Sequence, residues 1–314
     1  MRIKMQDNFN KAKVIVICGP TASGKTALSI EVAKKINGEI ISCDSMQIYK
    51  DMNIGTAKPT KEEMQGIKHY LINTKSVFDD YNVCTYQKDA RKILNELIKE
   101  NKNVLIVGGT GLYIDSLVNG IEYDDIKIDI NYRNELEELA KKDGLEAVYN
   151  MANNIDPEAM KKISVNDKKR IFRVLEIYKA TGKTKTMQEI ESRKKDNPFN
   201  FKLFGINMER EKLYERINLR VDIMIKQGLI EEVKNIVKKY NSFPTAMQGL
   251  GYKEVVEFLK NEITEDEMIE KIKRESRRYA KRQITWFKKY ENIKWLDGLE
   301  DRQNNIKIIL EGIK

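Results

Sequence analysis

The stretch VIVICGPTASGKT, from Val14 to Thr26, decides how the rest of the chain is read. A run of apolar, mostly β-branched residues leads into Gly19, then Pro20, Thr21, Ala22 and Ser23, then Gly24, Lys25 and Thr26. This is the phosphate-loop pattern in its required setting, with a strand before it and, in ALSIEVAKKI, a helix after it. Glycines let successive backbone N–H groups turn inward around an anion. Lys25 adds a mobile charge, and the Thr26 hydroxyl is placed to hold a magnesium ion. The pattern identifies a phosphate site and leaves open what carries the phosphate.

Outward from the loop, EIISC (residues 39–43) reads as a second buried strand that ends in Asp44. In open α/β sheets ligands gather beyond the carboxyl ends of the strands, which gives Asp44 a catalytic address. The competing reading is an aspartate that caps the next turn. Thr60 and Glu63 form a candidate capping box after a long loop. Residues 85–102 carry apolar side chains at helical spacing and lead into the strand NVLIVGG, after which a helix is expected from Thr110. Strand and helix alternate, the mark of a parallel sheet with right-handed crossovers. The fold class expected is therefore α/β, a phosphate-loop NTPase-like parallel sheet flanked by helices. NVLIVGG ends in glycines where an NTPase would carry a magnesium-binding aspartate, which weakens the case for ATP hydrolysis.

From 124 to 200 the chain turns charged and helical, predicting an inserted all-helical domain between a first core segment (1–123) and a return to the core with basic C-terminal helices (201–314). FKLFGINM (201–208) resumes strand character. In the helix that follows, broken at Gly228, Arg216 and Arg220 share a face, and either grip a diphosphate or form a solvated face. The last long helix, about 264–290, holds nine Lys or Arg between Lys271 and Tyr290 against one acid, Glu275. A solvated helix alternates its charges, so a polyanionic partner is the better reading, with Arg277, Arg278, Lys281 and Arg282 on the binding face. Tyr279, Trp286 and Phe287 read as core contacts.

A chain of 314 residues can bury a full core without staples. Its net charge of +9 fits either a lysine-rich proteome or a nucleic-acid partner. Cys18, Cys43 and Cys84 show no metal or disulfide spacing, and the single histidine, His69, reads as structural. With a polar opening segment and no run of about 18 apolar residues, a cytoplasmic chain with no membrane partner is expected.

The segments GPTASGKT (19–26), DSMQIYKDMNIGTAKP (44–59), VGGTGLY (107–113), NDKKRIFRVLEIY (166–178), RINLRVDIMIKQGLIEEV (216–233), QGLGYKEV (248–255) and RRYAKRQITWF (277–287) resemble, in order, those of bacterial tRNA dimethylallyltransferases. The resemblance implies transfer of a dimethylallyl group from dimethylallyl diphosphate to the exocyclic amine of the adenosine 3′ of the anticodon. The loop would then hold the diphosphate leaving group, with Thr21 near its bridging oxygen. Asp44 would act as general base, and Lys25, Arg220 and a magnesium ion on Thr26 would stabilise the departing charge. The resemblance also implies a flipped adenine met by Asp44, Ser45, Met46 and Gln47. Its tRNA contacts fall on Thr110, Arg133 and the run Lys169, Arg170, Ile171, Phe172 and Arg173. The family commonly has Gln-Arg where this chain has Lys169-Arg170, and a lysine grips phosphate without reading a base edge as an amide does. With no cysteine after Cys84, the chain is similar to the shorter bacterial form without a zinc finger, and a monomer is expected.

Three rival readings share parts of this pattern. A prenyltransferase on free AMP or ADP needs no RNA grip, which the inserted helices and basic helix speak against. A small-molecule kinase lacks its second magnesium aspartate and arginine-rich lid here. An RNA-binding nucleotide switch would need a guanine-selecting N-K-x-D motif, which is missing.

Overall fold

The computed structural model describes residues 12–122, 126, 129–193, 196–240 and 246–313. Its centre is a six-stranded sheet, with β1 (Ala12–Cys18), β2 (Gly38–Cys43), β3 (His69–Tyr70), β4 (Asn103–Gly108), β5 (Phe199–Asn207) and β6 (Lys294–Asp297) in the order β3-β2-β4-β1-β5-β6. All five pairings are parallel. Val14, Val16 and Ile17 in β1, and Leu105 and Ile106 in β4, are almost wholly buried, as strands covered on both faces require. Burial of each such side chain stabilises the fold by about 1.5–3 kcal/mol.

The core helices are α1 (Lys25–Ile36), the short α2 (Lys61–Met64) with its Thr60–Glu63 capping box, α3 (Val83–Lys99) and α4 (Gly111–Val118). A separate helical run follows, with α5 (Ile130–Lys142), α6 (Leu145–Ile155), α7 (Pro157–Met160), α8 (Lys168–Thr181) and α9 (Lys185–Arg193). The chain closes with α10 (Arg210–Lys226), α11 (Leu229–Lys239), α12 (Tyr252–Leu259), α13 (Glu265–Phe287) and α14 (Arg302–Gly312). Gly228, at φ 96°, separates α10 from α11. Thr264 caps α13 in a second capping box with Glu267.

Two compact units result: residues 1–114 with 198–314, and Asp115–Asn197. Their limits differ from the expected 124 and 200, because the compact division falls within α4. Residues 123–125, where the sequence places the first boundary, lie outside the described residues, as does the polar opening segment to residue 11. The helical unit has its own core, in which Val148, Ala152, Met160, Ile171 and Phe172 are buried.

The apolar stretch from His69 to Asn73 supplies only two strand residues, because Leu71 turns to φ 58° and Asn73 to φ 56°, outside the extended region. The edge strand β6 and α14 carry weaker patterns than the central elements. Ile306 and Ile309 of α14 nevertheless pack into the same core as Ile15, Ile17 and Phe204.

Candidate active site

The phosphate loop joins β1 to α1. At Gly19 the backbone has φ 152°, and a Cβ there would lie 2.9 Å from the Ile206 carbonyl, so only glycine fits against β5. Gly24, at φ 88°, is the left-handed N-cap that aims the first turn of α1 into the loop. Lys25 Nζ donates to the Pro20 carbonyl at 2.6 Å and lies 3.5 Å from Ser23 Oγ. Its pKa is pulled down to about 8, mainly by burial and further by the Arg220 guanidinium.

Asp44 follows the last residue of β2. Its Oδ1 accepts from the Met46 N–H at 2.9 Å and the Gln47 N–H at 3.2 Å. These are the contacts of the capping reading, and neither uses Oδ2. The glycines that end β4 have a steric cause. A Cβ on Gly108 would lie 2.0 Å from the Cys43 carbonyl, and one on Gly109 would lie 2.1 Å from Gln283 Nε2. No aspartate can stand there. Thr110 Oγ1 accepts from the Ser45 N–H at 3.1 Å, which ties the turn after Asp44 to the end of β4.

Two adjoining cavities open at these strand ends, of about 110 Å³ and about 320 Å³, and both are lined by Thr21, Asp44, Thr56, Arg220 and Tyr279. The smaller adds Lys25, Thr26, Gln47, Gly109 and Gln283. The larger adds Ser45, Met46, Tyr252 and Arg282. The described cations on the shared and phosphate-loop walls are Lys25 and Arg220, and Asp44 is the carboxylate. Burial pulls the Arg220 pKa below its usual value, and the charge of Asp44 acts in the opposite sense.

Arg216, expected beside Arg220, does not line either cavity. One helical turn earlier on α10, it reaches the Gly298 carbonyl at 3.4 Å and the Met208 sulfur at 4.0 Å instead. Gln47 spends its amide on its own loop, donating to the Thr56 and Ala57 carbonyls at 3.2 and 3.4 Å. The side chain of Thr110 likewise has a protein partner in the Ser45 N–H.

In the helical unit, Lys169 and Arg170 are exposed and Arg173 is half-buried on α8, whereas Ile171 and Phe172 are buried in that unit's core. The side chains of those two residues therefore do not stand at the surface beside the exposed cations. Arg133 and Arg173 meet opposite oxygens of the buried Glu176, at 3.3 and 3.7 Å. On α13, Arg278, Lys281 and Arg282 are exposed, while Arg277 is turned towards α10 and donates to Asn218 Oδ1 at 2.6 Å.

Two site residues escape the sequence reading. Tyr279 lies in both cavity walls, with its phenol pushed up to about 12 by burial and by Asp44. Gln283 is a polar side chain on the buried stripe formed by Ala280, Gln283 and Phe287, and that placement was the available signal. His69 donates from Nδ1 to the Ile67 carbonyl at 2.8 Å, and burial lowers its pKa.

A magnesium ion takes few protein ligands and several from water and phosphates. The exposed Thr26 hydroxyl in the smaller cavity suits that role. Among the described residues there is no cluster of three or more His, Cys, Asp or Glu that would form a closed metal cage.

A phosphate-loop α/β fold with a carboxylate, Asp44, and two cations, Lys25 and Arg220, around the phosphate-loop cavity defines a transferase acting beside a phosphorylated group. The IPP transferase family model matches residues 47–290, and the chain belongs to that family. It is 51% identical over 308 residues to the tRNA dimethylallyltransferase of Thermoanaerobacter sp., covering 96% of this chain and 98% of the relative. With that of Acetivibrio thermocellus the identity is 48% over 302 residues, covering 96% of each. Among solved structures, the full-length tRNA isopentenylpyrophosphate transferase of Bacillus halodurans is similar, with a TM-score of 0.72, 39% identity and coverage of 96% of this chain and 97% of that one. A eukaryotic dimethylallyltransferase solved acting on tRNA gives a TM-score of 0.78 at 29% identity, covering 96% and 79% respectively.

Proposed function

We infer that this chain is a tRNA dimethylallyltransferase that moves a dimethylallyl group from dimethylallyl diphosphate to the exocyclic amine of the adenosine 3′ of the anticodon. The observation that carries the reading is the pair of adjoining cavities with Asp44 in the wall of both. One has the phosphate loop in its wall and the other Ser45, Met46 and Arg282, so donor and acceptor have separate chambers that meet at a carboxylate.

The adenine amine is a weak nucleophile because its lone pair is delocalised into the ring. As the bond from that nitrogen to the allylic carbon forms, Asp44 takes the amine proton and the carbon–oxygen bond to diphosphate breaks. Negative charge grows on the leaving diphosphate, and Lys25 and Arg220 oppose it in a confined site. Thr26, with the donor's own phosphates, would hold a magnesium ion, which would supply further charge neutralisation. The adenine leaves its stack to reach the larger chamber, whose volume of about 320 Å³ suits a ring of that size.

Arg278, Lys281 and Arg282, with Arg133, Lys169, Arg170 and Arg173 of the helical unit, supply the phosphate contacts to the anticodon stem-loop. No described helix is long and apolar enough to cross a membrane. The test is incubation with unmodified tRNA and labelled dimethylallyl diphosphate. Label entering tRNA at one adenosine is expected. Label entering AMP in preference to tRNA, or ATP hydrolysis without prenyl transfer, would overturn the reading.

A further inference from the structure

The peptide between Pro20 and Thr21 is held at both ends. Its carbonyl accepts from Lys25 Nζ at 2.6 Å, and its N–H donates to Gln283 Oε1 at 2.9 Å. The other end of the Gln283 amide, Nε2, donates to the Gly109 carbonyl at 2.9 Å. One side chain of α13 thus joins the loop after β1 to the end of β4. Gln283 is buried, and Gly109 has no room for a Cβ because the amide fills that space. One helical turn earlier, Tyr279 stands in the wall of the same cavity.

The partners fix the chemistry required at position 283. One is an N–H and needs an acceptor, and the other is a carbonyl and needs a donor. Only a side-chain amide of this length offers both. A glutamate would set a second oxygen against the Gly109 carbonyl and bring a negative charge into the wall of the phosphate cavity.

We propose that Gln283 is a positioning residue for the donor: it fixes the Pro20–Thr21 peptide, and through the Pro20 carbonyl the rest position of the Lys25 ammonium, so that the loop is set for diphosphate before it arrives. The proposal rests on the reading of the loop as the diphosphate site. It assigns the Thr21 N–H to Gln283, so the cradle for the anion is built from the loop's remaining N–H groups and Lys25.

The test compares Q283M, an apolar side chain of similar volume, and Q283E with the wild type and with K25M. Melting temperature, KM for dimethylallyl diphosphate, KM for tRNA, kcat and calorimetric binding of inorganic diphosphate are measured for each. Loss of one neutral hydrogen-bonded clamp in Q283M is expected to raise the donor KM on the order of ten-fold and to weaken inorganic diphosphate by a similar factor. The tRNA KM should change less than two-fold, with Q283E worse than Q283M for the donor. A merely structural role would lower the melting temperature and raise both KM values together, and that result overturns the proposal. Unchanged or tighter diphosphate binding in Q283M overturns it as well. If Q283M does not fold, Q283N, which keeps the amide on a shorter stem, must show the donor-specific loss, and equal loss for both substrates rejects the proposal. Failure of K25M to affect diphosphate would instead reject the reading of the loop itself.

Discussion

The two units organise charge in opposite ways. In the sheet unit, Asp44, Lys25 and Arg220 line one cavity, and Asp44 and Lys25 are each held by backbone groups of their own loops. In the helical unit, Lys169 and Arg170 stand exposed on α8, above a core of buried neighbours from the same short stretch of chain. The first arrangement suits chemistry, where geometry within a confined space sets the rate. The second suits affinity, where each cation adds a separable contact. Substitutions should therefore split into those that slow the reaction at unchanged RNA binding and those that do the reverse.

The largest expected effect is at Asp44. D44N should slow single-turnover transfer on the order of 10²–10⁴-fold, because the amide cannot accept the amine proton. Its Oδ1 still accepts from Met46 and Gln47, so melting should stay near wild type, while D44A loses in addition about 1 kcal/mol of capping. A D44N enzyme that turns over at the wild-type rate would remove the distinction between the units at its strongest point.

Next is F172A in the helical unit, expected to cost about 3–5 kcal/mol from that unit's core. RNA binding should collapse while inorganic diphosphate still binds the sheet unit. Loss of both together, followed by titration calorimetry, would show that the units do not divide the work.

A smaller and graded effect is expected from the basic face of α13. The triple variant R278A, K281A and R282A should flatten the log–log salt dependence of RNA binding by about 2 to 3, near one per phosphate contact removed. R277A should change the slope least, since that side chain is paired with Asn218. An equal change from R277A would contradict the assignment.

The smallest effect is a pH dependence confined to the sheet unit. Lys25, with a pKa of about 8 in the fold, is charged below that value and neutral above it. Affinity for inorganic diphosphate should fall, by at most about ten-fold per pH unit, as pH rises past 8. RNA binding by the helical unit should not follow it. The folded pKa lies below the unfolded value of 10.5, so the unfolded chain binds more protons between them. The contribution of Lys25 to stability therefore rises with pH across that window. K25R, which stays charged, should abolish the step in affinity.

Much of the sheet unit was legible because its signals are local. The glycines at 19 and 24, the β-branched run before them and the strand-end Asp44 lie within one turn of what they serve. Arg216 lies apart from Arg220 because helical spacing fixes a shared face and not what each long side chain meets one turn apart. Ile171 and Phe172 followed the exposed residues on either side of them by resemblance, although the period of α8 turns both inward. The period of α13 could mark Gln283 as a polar residue on a buried stripe but not name its two partners, which lie at residues 21 and 109 and meet only in the tertiary fold.

That last contact also sets a schedule for synthesis. The phosphate loop leaves the ribosome before α13, and the amide that holds its Thr21 N–H is 262 residues behind it. At translation speeds of about 5–20 residues per second, the interval is roughly 13 to 50 seconds. Throughout that time a nascent chain has its phosphate loop but lacks the completed donor site. It should release diphosphate rapidly until α13 emerges and docks, so that partial chains do not sequester the donor.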